Sequence, residues 1–193
     1  MVVGLGNPGR EYEGTRHNVG ADAVRVLARR HGGVLSGDRR LTAECATVTV
    51  GGRRVLLAVP RTYMNDSGVA VGALVRRAGL EADGSDGLPS LVVVHDELDL
   101  PPGRVKVKVG GGNAGHNGLR SLEQHLHTSG YVRVRIGIGK PPGRMSGAAY
   151  VLRRPSPADQ EVLGGAVETA ADAVERIVAA GVERAMNEVN TGA

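Results

Sequence analysis

The chain has 193 residues and a modest net charge of +4, with 41% hydrophobic and 23% charged residues, which is typical of one globular domain with a sizeable core. This composition excludes collagen and intrinsic disorder, and the lack of a long apolar run or a leader-like start predicts a cytoplasmic protein with no membrane partner. The single cysteine, Cys45, excludes an internal disulfide and a cysteine metal cluster.

Strand and helix patterns alternate along the chain, which predicts an α/β fold. The first half contains a strand over Val2–Leu5, a helix over Asn18–Arg30, strands over Thr42–Val50 and Arg53–Val59 joined at Gly51-Gly52, and a helix from Asp66 or Ser67 to Arg77. The second half contains a surface loop over 81–90, strands over Leu91–His95, Arg104–Val109 and Tyr131–Ile138, a helix over Asn117–Leu126, and C-terminal helices over 156–190.

The strand over Leu91–His95 is the most apolar in the chain, so it is predicted at the centre of the sheet. Together the elements predict a single-domain, three-layer α/β/α sandwich with a mixed central sheet, and this one domain covers residues 1–193.

Positive charge is concentrated in the middle of the chain. Residues 104–154 carry ten basic and one acidic side chain, whereas the residues before them are balanced and those after them are acidic. A charge of +9 in 51 residues is expected for a surface that binds a polyanion such as RNA, although a solvated face is the alternative. Strand alternation places Arg104, Lys106 and Lys108 on one face, and it turns Arg133 and Arg135 outward.

The segment Gly4–Gly9, with the sequence GLGNPG, fits the GxGxxG pattern of dinucleotide-binding folds. Pro8 removes a backbone donor, the helix begins about eight residues too late, and no acidic strand end follows at the required spacing. The segment is therefore interpreted as a strand-end turn, with glycines in left-handed geometry and Asn7 offered to solvent.

Ten polar residues stand near predicted strand ends, where ligands bind in open α/β sheets. They are Asn7, His17, Asn65, His95, Asp96, Glu97, Asp99, Asn113, His116 and Asn117. A histidine and an aspartate from two strand ends form a general base with its orienting carboxylate, and asparagines donate hydrogen bonds to an oxyanion. The alternative for each residue is a cap or turn bonded to backbone. No GxSxG segment is present, which argues against a serine nucleophile.

The histidines and carboxylates of this set are also possible zinc or manganese ligands. However, the residues of this set form no HExxH or HxH spacing, and strand alternation points His95 and Asp96 to opposite faces. Neither a metal nor another cofactor is therefore predicted.

Six segments occur in a characteristic order along essentially the whole chain. They are GLGNPG followed by Tyr12, GTRHNVG at 14–20, TYMNDSG at 62–68, VVVHDELDLPPG at 92–103, VKVGGGNAGHNGLRS at 107–121 and RVRIGIGKP at 133–141. Together they resemble the bacterial peptidyl-tRNA hydrolases. The resemblance implies a monomeric, metal-independent cytoplasmic enzyme that hydrolyses the ester between a peptide and the 3′-terminal adenosine of tRNA, so that stalled or dropped peptidyl-tRNA is recycled.

The resemblance also implies roles for individual residues. His17 is the implied general base and Asp96 its orienting partner, while Asn7 and Asn65 place the ester and stabilise its oxyanion, and Asn117 orders the water or the peptide backbone. The implied cleft residues are Tyr12, Tyr63, Met64 and His116, and the implied tRNA contacts are Lys106, Lys108, Arg133 and Arg135. The alternative from another class is a non-catalytic RNA-binding protein that uses the same basic face.

Overall fold

The computed structural model of the protein describes residues 1–80 and 87–192. Its strands are β1 (Val2–Gly4), β2 (Ser36–Asp38), β3 (Ala43–Val50), β4 (Arg53–Pro60), β5 (Gly87–Glu97), β6 (Val105–Val109) and β7 (Gly130–Gly137). Its α-helices are α1 (Val19–Arg30), α2 (Ser67–Ala78), α3 (Asn117–Leu126), α4 (Gly147–Val151), α5 (Pro157–Ala180) and α6 (Val182–Thr191). None of the described helices combines the length and apolar composition needed to cross a bilayer.

The strands form one sheet in the order β2-β3-β4-β1-β5-β7-β6. The four consecutive strands β4, β1, β5 and β7 are parallel, and β2, β3 and β6 are antiparallel to their neighbours. The sheet is therefore mixed, and the apolar strand β5 lies inside it between β1 and β7, as predicted. Because β1 and β5 are parallel, their carboxyl ends meet at the same edge of the sheet.

Helices cover both faces of the sheet, which confirms the predicted three-layer architecture. Alternating side chains of β1 enter two separate cores: Val2 packs with residues of α1, α5 and α6, and Val3 packs with residues of α2 and α3. The longest helix, α5, begins where expected, since the Ser156 hydroxyl accepts the Asp159 N–H and Pro157 occupies the first helical turn.

Helix α1 lies unusually close to the sheet because glycines occupy the contact. A Cβ at Gly20 would lie 2.3 Å from the carbonyl oxygen of Val94, and one at Gly4 would lie 2.3 Å from that of Gly20. The Ala21 N–H, in the first turn, donates to the Leu5 carbonyl oxygen at 2.9 Å. The chain just before α1 is thus fixed at the carboxyl ends of β1 and β5.

The structure differs from the predicted elements at three places. The surface loop predicted over 81–90 is wrong for 87–90, which already belong to β5, while 81–86 lie outside the described residues. Strand β5 contains a register shift between Leu88 and Val92, and such an irregularity accommodates Pro89 within a strand. Strand β2 and helix α4 are not predicted from the sequence, because the three residues of β2, SGD, and the five of α4, GAAYV, are too few to give a periodic signal.

The last turn of α6 covers strand β6, which ends the sheet. The Asn190 side chain accepts the Val107 N–H at 2.8 Å and donates to the Val107 carbonyl oxygen at 2.9 Å. Arg104 precedes β6, and its guanidinium donates to the Asn190 carbonyl oxygen. Helix α6 packs on the face of β6 that carries the valines, and Arg104 contacts this helix. The prediction that Arg104 shares a face with Lys106 and Lys108 is therefore wrong.

Candidate active site

The side chain of Asp96 lies at the carboxyl end of β5 and is only 2% exposed. Its Oδ1 and Oδ2 atoms lie 2.9 and 3.0 Å from Nδ1 of His17, which precedes α1. Its Oδ1 also lies 3.0 Å from Nε2 of His116, which precedes α3. The structure therefore brings three of the predicted site residues together, from three separate segments of the chain.

Hydrogen bonding determines which nitrogen of each imidazole carries the proton. The Nδ1 atom of His116 accepts the backbone N–H groups of Gly118 at 3.1 Å and Leu119 at 3.3 Å, so it has no proton of its own. The proton of His116 is therefore on Nε2, which donates to Asp96. The Nδ1 atom of His17 donates to the same carboxylate, which leaves its Nε2 as the basic atom.

Burial and charge act in opposite directions on this cluster. Burial lowers the pKa of His17, but the charge of Asp96 and the hydrogen bond to it raise that pKa, with a net value above the ordinary one. Burial raises the pKa of Asp96, but His17 and His116 lower it, with a net value well below the usual range. Asp96 is thus ionised at neutral pH, as an orienting carboxylate must be.

His95 forms a second layer behind the cluster. It is buried, its Nδ1 lies 2.7 Å from the Asp96 carbonyl oxygen, and its ring centroid lies 5.1 Å from that of His116. Burial, with a smaller effect of His116, lowers the pKa of His95 to about 3, so its imidazole stays neutral. Strand alternation predicts that the side chains of His95 and Asp96 point to opposite faces. The structure agrees, because Asp96 lines the cleft beside the cluster and His95 does not.

A cleft of about 130 Å³ opens beside the cluster. His17, Asp96, His116 and Asn117 line it, and Gly147, Ala148 and Val151 of α4 belong to its wall. Asn117 is exposed, and its Oδ1 accepts a hydrogen bond from Arg120. The cleft thus places two imidazoles, a carboxylate and an amide around one space.

Asn7 occupies a neighbouring position and does not line this cleft. Its Oδ1 accepts the Met64 N–H at 2.7 Å, and its backbone is bonded on both sides to the Asn18 side chain, at 2.9 and 3.0 Å. It lines a separate cavity of about 450 Å³, together with other residues of the GLGNPG turn. The expectation that Asn7 is offered to solvent is wrong, because these bonds keep the side chain half-buried.

The glycines of this turn also differ from expectation. Only Gly9, with a φ of 106°, adopts a positive φ, whereas Gly4 and Gly6 are among the glycines that do not. Gly6 instead permits close packing, since a Cβ there would lie 2.9 Å from the Cβ of Ala21.

The remaining predicted cleft residues lie next to Asn7. The rings of Tyr12 and Tyr63 meet edge to face with centroids 6.3 Å apart, and Tyr63 is 55% exposed. Asn65 is exposed as well, but Met64 is buried and packs in the core beneath α2 and α3. Asn7, Asn65 and the two tyrosines therefore form a group beside the histidine cleft.

The basic residues of β6 and β7 share one face of the sheet edge. Lys106 pairs with Arg135 and Lys108 with Arg133, and directly opposed residues of an antiparallel pair project to the same side. Arg135 donates from Nε and Nη2 to Oε2 of Glu97, each at 3.0 Å, and Glu97 lines the histidine cleft. The basic face therefore adjoins that cleft.

Arg133 departs from its predicted outward position. It is 3% exposed, and its guanidinium donates to the carbonyl oxygens of Gly111 and Gly112. The glycine-rich turn before α3 lies over this side chain and accepts hydrogen bonds from its Nη1 and Nη2 atoms. Strand alternation identifies its face correctly but does not show that the face is covered there.

Sequence patterns give little signal for Asn18. Its place at the start of a helix predicts an ordinary cap, yet its side chain makes no cap bond and binds the Asn7 backbone instead. Glu97 is among the predicted strand-end residues, but its pairing with Arg135 depends on the strand register. Asn113, without an assigned role, ties the turn before α3 to Glu123 at 2.8 Å.

Comparison with known protein families gives a match over the whole chain. The family model described as "Peptidyl-tRNA hydrolase" matches residues 1–193. The chain belongs to the peptidyl-tRNA hydrolase family. It is accordingly a hydrolase, and the family acts on peptidyl-tRNA.

Individual relatives agree with this family membership. The peptidyl-tRNA hydrolase of Cutibacterium acnes is 45% identical over 201 residues, covering 99% of this chain and 98% of that protein. The one from Rhodococcus erythropolis is 47% identical over 190 residues, covering 98% and 97%. The crystal structure of peptidyl-tRNA hydrolase from Acinetobacter baumannii matches with a TM-score of 0.89 and 37% identity, over 98% of this chain and 93% of that one.

The donor atoms of His17, Asp96 and His116 lie within 4.8 Å of one another, so a metal ion is a possible alternative occupant. The tautomers argue against it. Both nitrogens that face Asp96 carry protons, and binding a metal through Nε2 of His116 would move its proton to Nδ1. That proton would break the two hydrogen bonds from Gly118 and Leu119, so the donor set fits proton transfer better.

Replacing Asp96 with Asn should lower the pKa of His17, because the charge that raises it is removed while the side chain keeps its size. The acid limb of the hydrolysis rate should therefore move to lower pH, and the maximal rate should fall, since an amide neither fixes the tautomer nor stabilises imidazolium. Histidine-selective NMR titration measures the pKa, and Asp172→Asn, an exposed partner of Arg30, is the control. An unchanged His17 pKa in Asp96→Asn would contradict the pairing.

Proposed function

We propose that the chain cleaves the ester between the peptide and the 3′ end of tRNA with water activated by His17, without a metal ion or a covalent intermediate. The observation that carries the proposal is the buried His17–Asp96 pair at 2.9 Å beside a cleft. The ester is an activated acyl group, so a positioned base and a few amide donors suffice for its hydrolysis. The proposed setting is the cytoplasm, where a monomeric enzyme would recycle tRNA from stalled or dropped peptidyl-tRNA.

The proposed reaction has two steps. In the first, Nε2 of His17 takes a proton from water as the water oxygen attacks the ester carbonyl carbon, and Asp96 stabilises the imidazolium that forms. In the second, the tetrahedral intermediate expels the 3′ oxygen of adenosine, which receives the proton from His17. The products are a peptide carboxylic acid, which ionises in water, and tRNA with a free 3′-hydroxyl.

Asparagines would supply the hydrogen bonds to the developing oxyanion. The Oδ1 atom of Asn7 already accepts the Met64 N–H. The side-chain NH₂ group of Asn7 is therefore the part that would donate to the oxyanion. Asn65 follows Met64 directly, and both asparagines would place the ester. Asn117 lines the cleft with His17 and would order the water or the peptide backbone.

Other residues would bind the two ends of the substrate. The edge-to-face pair of the half-buried Tyr12 and the exposed Tyr63 supplies an aromatic surface next to Asn7. The tRNA phosphates would be contacted by Lys106, Lys108 and Arg135. Basic residues lie directly opposite one another on β6 and β7, and a bound polyanion would reduce the repulsion between their like charges. Arg133 is left out of this phosphate-binding set, because its buried guanidinium is bound to backbone.

Replacing His17 with Ala should abolish turnover and leave tRNA affinity nearly unchanged, because the base acts on water and not on the nucleic acid. Loss of a general base costs about 10²- to 10⁴-fold in rate. Release of peptide from labelled peptidyl-tRNA measures turnover, and a filter-binding assay measures affinity. The control is His31→Ala, at the other end of α1, where the imidazole is paired with Glu175. More than about a third of wild-type activity in His17→Ala would refute the assignment, and no release by the wild type would favour the non-catalytic RNA-binding alternative.

Chelation tests the metal alternative directly. EDTA should leave the rate of the wild-type enzyme unchanged, because the tautomers of His17 and His116 leave no unprotonated nitrogen facing Asp96. The rate of peptide release is measured before and after chelation, and after addition of zinc or manganese. Activity that falls with EDTA and returns with either metal would replace the proposed mechanism.

Replacing Lys106 and Lys108 together with Ala should flatten the slope of log affinity against log salt by about one to two, since about two phosphate contacts are lost. KM should rise for full-length peptidyl-tRNA, while cleavage of a peptidyl-adenosine ester, which has no distant phosphates, should barely change. The matched control is Arg53→Ala with Arg54→Ala, two exposed basic residues of β4 outside the basic block. Equal losses on both substrates would show that the lysines support the fold or the chemistry instead.

A further inference from the structure

We infer that His116 is a positioning residue for the proposed reaction: it holds the Asp96 carboxylate toward His17 and shares its charge. The inference rests on the proposed role of His17 as the general base. It assigns His116 a function through Asp96, beyond forming part of the cleft wall.

His116 is anchored from both sides of its ring. Its Nδ1 takes the place of a helix cap, accepting the N–H groups of Gly118 and Leu119 that begin α3. Its Nε2–H then points at Oδ1 of Asp96 over 3.0 Å, and its ring lies against those of His17 and His95, with centroids 5.0 and 5.1 Å away. The first turn of α3 thereby fixes one donor on the catalytic carboxylate.

The Oδ1 atom of Asp96 receives both imidazoles, and Oδ2 receives only His17 among the hydrogen bonds of the described residues. A second hydrogen bond stabilises the ionised form of a carboxylate. The carboxylate then attracts the proton of the first imidazole less strongly. His116 therefore has two effects on the base. It prevents rotation of the carboxylate, and it limits how strongly Asp96 favours the protonated form of His17.

Other titratable groups around the cluster are already engaged or neutral. On β5, Glu97 is bonded to Arg135, and the neutral His95 donates to the Asp96 carbonyl oxygen. On β7, Arg133 is bound to backbone carbonyl oxygens. In the part of the chain that the structure describes, the side chains bonded to the carboxylate of Asp96 are those of His17 and His116, so removing His116 leaves the charge to His17 alone.

Two substitutions separate this role from simple capping. His116→Asn retains a side chain that caps a helix, but it is too short to reach Asp96 as well, whereas His116→Ala loses both interactions. His127→Asn is the matched control: it is the same substitution at the other end of α3, at an exposed residue whose positive φ of 55° suits asparagine.

We expect kcat of His116→Asn to fall about 10-fold near neutral pH with little change in KM, as for the partial loss of general-base catalysis. The acid limb of its kcat profile should move to higher pH, and NMR titration of labelled histidines should show a higher pKa for His17. His127→Asn should match the wild type in all three measurements, and only His116→Ala should have a clearly lower Tm.

An unchanged pH profile and an unchanged His17 pKa in His116→Asn would overturn the inference, as would losses that simply follow Tm. The NMR titration requires no turnover, so it tests His116 even if peptidyl-tRNA is not hydrolysed by His17. A higher His17 pKa without any wild-type hydrolysis would reject the proposed function and retain the positioning role. Normal hydrolysis by the wild type, with an unchanged His17 pKa in His116→Asn, would support the proposed function and reject the positioning role.

Discussion

The site depends on one buried negative charge. A carboxylate removed from water is costly unless the protein supplies its hydrogen bonds, and Asp96 receives them from His17 and His116. Each imidazole is held by a different part of the fold: the approach of α1 to the sheet, which Gly20 permits, fixes His17, and the first turn of α3 fixes His116. The sheet and both helical layers therefore meet at a single side chain, and a displacement of either helical layer would remove one of the two imidazoles that bind its charge.

The layered fold and most of the site could be predicted from the sequence, because periodicity and strand ends are local signals. The central place of β5 follows from its apolar run, and the gathering of polar residues at one edge follows from parallel strands that end there, whereas the pairing of His17 with Asp96 is implied by the family resemblance. Arg133 could not be predicted, since alternation gives the face of a side chain but not what covers it. Asn18 and the start of β5 at Gly87 also depend on tertiary contacts, with the Asn7 backbone and with β7 respectively.

Charge pairing links the basic face to the cleft. Arg135 holds Glu97, one residue beyond Asp96, while Lys106 and Lys108 stand beside Arg135 and Arg133 across the strand pair. A phosphate that approached Arg135 would compete with Glu97 for the guanidinium, and Glu97 is a wall of the space in which the proposed chemistry occurs. Phosphate binding at the sheet edge, as proposed, would therefore be connected to the shape of the cleft through one carboxylate, without any intervening helix.

Strand β6 ends the sheet, and an end strand normally exposes unpaired N–H and carbonyl groups to which a further strand can add. The Asn190 amide imitates such a strand at Val107, accepting its N–H and donating to its carbonyl oxygen. A side-chain amide forms this pair of hydrogen bonds with one residue only. It therefore covers the strand edge at Val107 without adding a new strand to the sheet. The last turn of α6 thus covers the backbone of β6 at Val107, where a further strand would otherwise pair, and it leaves the lysine face of the same strand uncovered by that helix.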